Sequence, residues 1–200
     1  MKQTSDRRLH AALVESCPRQ GRIAHVFKRF LPAALALFPL CVNADFTGSI
    51  IGITDGDTVT VLHGGVPIKI RLAGVDTLES HGQAFGIVSK QNLSRLLFKR
   101  TVRVEEQTVD RYGRTVAFIG SADPDCRAAS CPLTFDVNLR QVTDGMAWHY
   151  VQYLPVRSPR GMAYSMAERN ARTEKRGLWV DLAPEPPWSW RKEARDASGR

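Results

Sequence analysis

The sequence predicts an α+β domain that is mainly β: a small five-stranded barrel carrying about three helices. Three observations lead there. Short strand-like segments recur at Phe46–Ile53, Asp57–His63, Val66–Val75, Thr101–Thr108 and Gly113–Ile119. The turn signals Asp55-Gly56 and Gly64-Gly65 join the first three into a curled meander. One helical stretch, Gln83–Arg100, separates the third strand from the fourth. Two hundred residues hold one such domain with appendages.

Each element has its own justification. Phe46–Ile53 is short and glycine-containing. In the second strand Val59, Val61 and His63 face one side, and Thr58, Thr60 and Leu62 the other. In the third, Ile68, Ile70 and Leu72 oppose Lys69 and Arg71. Phe85, Val88, Leu93, Leu96 and Leu97 give Gln83–Arg100 a rough helical apolar face. Val102 and Val104 point inward from the fourth strand, and Gly113–Ile119 is the fifth. This element order is that of an OB-fold, a barrel that commonly binds oligonucleotides. Ser121–Thr134, with two prolines and few large apolar residues, reads as a surface insertion. Asp136–Gly145 is a short helix closed by glycine, with Leu139 and Val142 inward. Pro159–Arg176 is a longer helix with Met162, Met166 and Ala167 on one side, and Trp179 is expected to seal the core.

Residues 1–44 read as a cleaved leader. Seven basic residues precede the apolar run from Phe30 to Val42, and Val42-Asn43-Ala44 is a small-residue cleavage site. The apolar run is too short to span a membrane. The domain is then 45–182, and 183–200 is a Pro-rich, then charged tail. Its Pro-Pro-Trp-Ser-Trp piece is able to pack on the domain, and its last residues are expected to be disordered. The chain carries 28 basic and 20 acidic residues; without the leader's 7 and 2, they are 21 and 18, a net +3. The high pI therefore belongs largely to the leader, and net charge argues little about partners. Cys126 and Cys131 remain after cleavage. An even pair in an exported chain reads as a disulfide closing a small loop; a metal clip is the alternative, but no second Cys pair or nearby His supports it.

The chemistry concentrates in Ile70-Arg71-Leu72-Ala73-Gly74-Val75-Asp76-Thr77-Leu78-Glu79. A strand here delivers a cation and then two carboxylates at its exit, a set suited to phosphate and a hard metal ion. Each residue also has a plain structural role: Asp55-Gly56-Asp57 as a turn, Arg71 as a solvated strand residue, Glu79 as a helix-start carboxylate. The blocks Asp55-Gly56-Asp57-Thr58, Arg71 to Glu79, and Asp110-Arg111-Tyr112-Gly113-Arg114, in this order, resemble the staphylococcal nuclease (thermonuclease) family from about Ile51 to about Trp179.

That resemblance implies the OB barrel and a calcium-dependent, sugar-nonspecific endonuclease. Its substrates would be DNA and RNA, single strands preferred, and its products 5′-hydroxyl and 3′-phosphate ends. Arg71, Glu79 and Arg114 look like the catalytic residues. Asp57, Asp76 and the Thr77 carbonyl look like the calcium ligands, with Asp55 behind them. Tyr153 loosely matches a substrate-contacting tyrosine, with a packing role equally open. His81 and His149 lie outside the pattern and are read as surface or packing residues. Leu78 stands where the family commonly has proline, which loosens the turn that aims Glu79. The loop from Ser80 to Gln83 is shorter than in the best-known member. A monomer without a membrane span, periplasmic or secreted, is expected. Two rivals remain: a non-catalytic OB module holding single strands, and an envelope protein using calcium for stability alone.

Overall fold

The computed structural model describes residues 45–78 and 85–199. The elements are, in order, β1 (Phe46–Ile53), β2 (Thr58–His63), β3 (Val66–Leu72), β4 (Val75–Asp76), α1 (Gly86–Leu97), β5 (Thr101–Val109), β6 (Thr115–Ser121), β7 (Phe135–Asp136), α2 (Val137–Thr143), β8 (Trp148–His149), α3 (Pro159–Thr173), a 3-10 turn at Gly177–Val180, and α4 (Pro187–Ala197). β1 pairs antiparallel with β2 and with β5, β2 with β3, and β5 with β6. β3 then pairs in parallel with β6 and closes a five-strand ring. Closure of this kind removes exposed sheet edges. The expected mainly β, OB-type α+β architecture is what the chain adopts, with four helices among the described residues.

Alternation along the strands fills the barrel. Val59, Val61, Ile70, Leu72, Val102, Val104, Ala117 and Ile119 are buried, and Leu93 and Leu97 of α1 pack against them. A second apolar cluster joins Leu78, Trp148, Ala171, Leu178 and Trp179, flanked by Phe85 and Trp188. The Arg172 guanidinium lies over Trp179, 3.8 Å from the ring centroid.

Several expectations are corrected. The third strand does not run to Val75: it stops at Leu72, and an Ala73-Gly74 turn starts the separate β4, which pairs with β8. Gly74 has φ +71°, and a Cβ there would lie 2.6 Å from Leu154 Cδ2, so no other residue turns the chain here. Met162 and Met166 are about half exposed; α3 buries Gly161, Tyr164 and Ala171 instead. The buried positions 164 and 171 are seven apart and share a face that the methionines do not. The C-terminal end is helical through Ala197, not disordered. Pro187 sets its first turn. No helix among the described residues is long and apolar enough to cross a membrane.

Two buried polar residues of α2 fasten the loops that carry the chemistry. Asn138 donates to the carbonyls of Ala73 (3.0 Å) and Ala117 (3.1 Å) and accepts from the Ile119 amide (3.1 Å). Gln141 donates to the Gly56 carbonyl at 2.7 Å and accepts from Asn92 at 2.7 Å. The helix is positioned by Asp136, which accepts from the Leu139 amide as N-cap and from the buried Tyr164 hydroxyl. Burial and then the Asp136 carboxylate push the Tyr164 hydroxyl well above its ordinary pKa.

Candidate active site

The barrel brings Asp57, Arg71 and Asp76 to one corner. Asp57 immediately precedes β2, and Thr58 lies opposite Arg71 in the β2–β3 register. The Asp57 carbonyl accepts the Leu72 amide at 2.7 Å, which fixes the loop to β3. Asp76 follows within five residues because the Gly74 turn reverses the chain. Arg71 Nη2 lies 3.1 Å from Asp57 Oδ2 and 2.7 Å from Asp76 Oδ1, so a single nitrogen bridges both carboxylates. The Thr58 hydroxyl donates to Asp57 Oδ1 at 2.9 Å. The second oxygen of Asp76 accepts from Arg191 of α4.

The site is buried and electrostatically tense. The Asp76 side chain is fully buried, and that of Asp57 nearly so. Burial, then repulsion from Asp57, raises the Asp76 carboxyl above its usual range. Asp55 accepts the Asp57 amide at 3.1 Å; burial and then the Asp57 charge push its carboxyl up to about 7. Burial alone would lower the Arg71 guanidinium, but Asp57 and Asp76 outweigh it and hold it above its usual range. Carboxylates forced together in this way are what a cation relieves. Two hard-oxygen side chains bridged by one nitrogen fit a divalent ion that takes the rest of its shell from backbone, water and substrate. Among the described residues no group of three or more His, Cys, Asp or Glu side chains is gathered for a metal.

The other sequence candidates fall as follows. Thr77 is buried directly after Asp76. Arg114 precedes Thr115, which lies opposite Ile70 in the parallel β3–β6 register, so the turn carrying it adjoins the strand of Arg71. Its Nε is held by Asp110 Oδ2 at 2.7 Å, and Asp110 also accepts the Arg114 and Tyr112 amides. Burial opposes the ionised Asp110, but these bonds from Arg114 and Tyr112 outweigh it and hold its carboxyl below the usual range. Glu79 lies outside the described residues, as do His81 and residues 1–44, where a leader is expected. Leu78 is buried among the tryptophans, so apolar packing, not a ring-locked φ, anchors the chain beside Glu79. Tyr153 is 69% exposed. Its ring meets Tyr150 edge-on at 4.8 Å. His149 is buried, its Nε2 2.8 Å from the Leu154 carbonyl, a packing role. Cys126 and Cys131 form a disulfide across 6.1 Å between Cα atoms, in the loop joining β6 to β7.

The chain is similar to known proteins along most of this framework. Residues 69–181 match the family described as Staphylococcal nuclease homologue. The chain belongs to the staphylococcal nuclease family. Within it, the micrococcal nuclease of Shigella flexneri is 39% identical over 155 residues, 78% of this chain and 86% of that protein. Protein ParB of Escherichia coli is 37% identical over 171 residues, 83% of this chain and 93% of that protein. An uncharacterized endonuclease of Haemophilus influenzae is 35% identical over 172 residues, covering 84% and 87%.

Some residues of this family member were not singled out in its sequence. Asn138 and Gln141 look like ordinary helix polar residues; only their placement beside buried Val137 and Val142 hints at an inward role. Tyr150 is hydrogen-bonded through its amide to the Gly74 carbonyl at 2.9 Å and stacks on Trp188. Trp188 and Arg191 are three apart on α4 and so share a face, but no local signal says which residues that face meets.

Proposed function

We propose that the protein is an exported, calcium-dependent endonuclease that hydrolyses phosphodiester bonds of DNA and RNA. The observation that carries this reading is the single Arg71 nitrogen bridging the buried carboxylates of Asp57 and Asp76. Family membership and the names of the relatives support nuclease chemistry. The leader pattern of residues 1–44 supports export to the periplasm or beyond.

Asp57, Asp76 and the Thr77 carbonyl would hold the calcium ion, which supplies charge neutralisation at the phosphate. Asp55 holds the Asp57 amide and so sets the loop. Arg71 and Arg114 offer planar, paired N–H donors to phosphate oxygens, a geometry lysine lacks. Both are pre-positioned on carboxylates, Asp57 and Asp76 for Arg71 and Asp110 for Arg114. Glu79 accepts a proton from the attacking water. The water oxygen bonds to phosphorus, the bond to the 5′ oxygen breaks, and that oxygen leaves as a hydroxyl on taking a proton. The 3′ end keeps the phosphate. A site that grips phosphate and no base edge fits both nucleic acids.

The test is incubation of the chain from Asp45 onward with single-stranded DNA, with calcium or with a chelator. Cleavage that requires calcium is expected. Cleavage unaffected by the chelator would overturn the calcium assignment of Asp57 and Asp76, and none from folded protein would overturn the hydrolase.

A further inference from the structure

The C-terminal helix reaches back over the candidate site at two points. Trp188 lies nearly parallel to Tyr150, at 8° and 5.4 Å between ring centroids, and edge-on to Trp148 at 5.5 Å. One turn later Arg191 donates from Nη2 to Asp76 Oδ2. Both oxygens of Asp76 are thereby engaged by arginines, Oδ1 by Arg71 and Oδ2 by Arg191. Pro187 is the one buried residue of α4, and Leu182 in the segment leading to it is 92% exposed. The helix thus meets this site through Trp188 and Arg191.

We propose that α4 is a displaceable strap that closes the site by standing in for both parts of its load: Arg191 for the cation at Asp76, and Trp188 for a nucleobase on Tyr150. The inference rests on reading Asp57 and Asp76 as cation ligands. A divalent ion at Asp76 and the Arg191 guanidinium on the same carboxylate repel strongly in a buried setting. An aromatic face stacks a base as readily as an indole, but not both. Docking of α4 therefore excludes the metal at Asp76 and the base on Tyr150, while the two ligands do not exclude each other. The affinity of the site for each ligand is reduced by the fraction of molecules in which the strap is docked. The nuclease is held closed until cation and single strand together displace the helix.

The experiment uses the mature chain and three variants, Arg191→Ala, Arg191→Met and Trp188→Ala, with calcium titrated calorimetrically and amide hydrogen exchange followed over 187–197. Saturating calcium is expected to speed exchange across α4 at least tenfold in the parent protein. Both Arg191 variants are expected to bind calcium several-fold more tightly and to exchange α4 fast without it. Trp188→Ala should bind a short phosphorothioate single strand several-fold more tightly in chelator. Calcium binding that leaves α4 protection unchanged overturns the strap while leaving the metal reading intact, because tighter binding alone would follow from removing a positive charge. No calcium binding by parent and Arg191 variants alike overturns the metal reading and the inference with it. Unchanged strand affinity in Trp188→Ala overturns the aromatic half.

Discussion

Gln141 donates from its buried amide to the carbonyl of Gly56 at 2.7 Å, and so ties helix α2 to the loop that presents Asp57. The same amide group accepts from Asn92 of α1 at 2.7 Å. Gly56 also packs so closely on α1 that a Cβ there would lie 2.0 Å from Ser89 Oγ. The acidic loop is therefore held by two helices distant in sequence. Gln141→Leu would strand a buried carbonyl and a buried amide, costing about 1–3 kcal/mol for each group left unpaired. We expect a lower urea midpoint and a fall in calcium affinity, since the freed loop no longer fixes Asp57. Unchanged affinity at the lower stability would separate the helix from the site.

Glu79→Gln removes the proton acceptor assigned to the attacking water while keeping its size. Loss of general-base assistance is expected to lower kcat by about 10²–10⁴-fold. Calcium affinity by calorimetry and the melting temperature should stay at parent values. Parent-level turnover would remove Glu79 from that role.

Leu78 carries the chain into Glu79 and is buried with Trp148 and Trp179. Leu78→Ala should cost about 2–4 kcal/mol through the cavity it leaves. Because the packing is local to the chain leading to Glu79, kcat should fall more than KM rises. A stability loss with both kinetic constants unchanged would show that Leu78 acts on the core alone.

Glu105 receives a paired contact from Arg160 at 2.9 and 3.0 Å, and Arg160 also lies over Phe118. The hydrogen bond from Arg160, opposed by partial burial and aided by charge, lowers the Glu105 carboxyl from its ordinary 4.5. A depressed carboxyl contributes stability above its unfolded value, and that contribution disappears as pH falls through the folded value. Arg160→Met should therefore melt below the parent at neutral pH and converge with it as the pH falls from the ordinary 4.5 through the lowered folded value. A constant gap in melting temperature from pH 7 to pH 3 would assign the effect of Arg160 to packing on Phe118 alone.

The Cys126–Cys131 disulfide closes a short loop that is mostly exposed and carries none of the candidate site residues. Replacing both cysteines by serine should cost at most about 2 kcal/mol, the value loop closure gives for so short a ring. Cleavage assays of the double variant should match the parent. A large drop in activity would show that the insertion reaches the substrate.

The sequence by itself determined the parts of this protein that depend on neighbouring residues. Alternation in β2, β3 and β5 follows from two-residue periodicity, and the reversal between β2 and β3 follows from Gly64-Gly65. The motif blocks named Asp57, Arg71, Asp76 and Arg114 in order along the chain, because each block is a short local stretch. Only the tertiary structure decided which side chains meet. The Gly74 break that makes Asp76 part of a separate strand depends on Leu154, 80 residues downstream. The inward roles of Asn138 and Gln141 depend on carbonyls freed by loops far earlier in the chain. Met162 and Met166 have core-like chemistry but an exposed position, because the facing surface selected Tyr164 and Ala171. The closing helix is the plainest case. The Pro-Pro-Trp-Ser-Trp piece marks the end as able to pack but not what it packs on, and its position follows from Asp76 and Tyr150, which are more than 35 residues away. Periodicity and turn chemistry act over a few residues; burial of a carboxylate beside a distant arginine is settled only when the chain is closed.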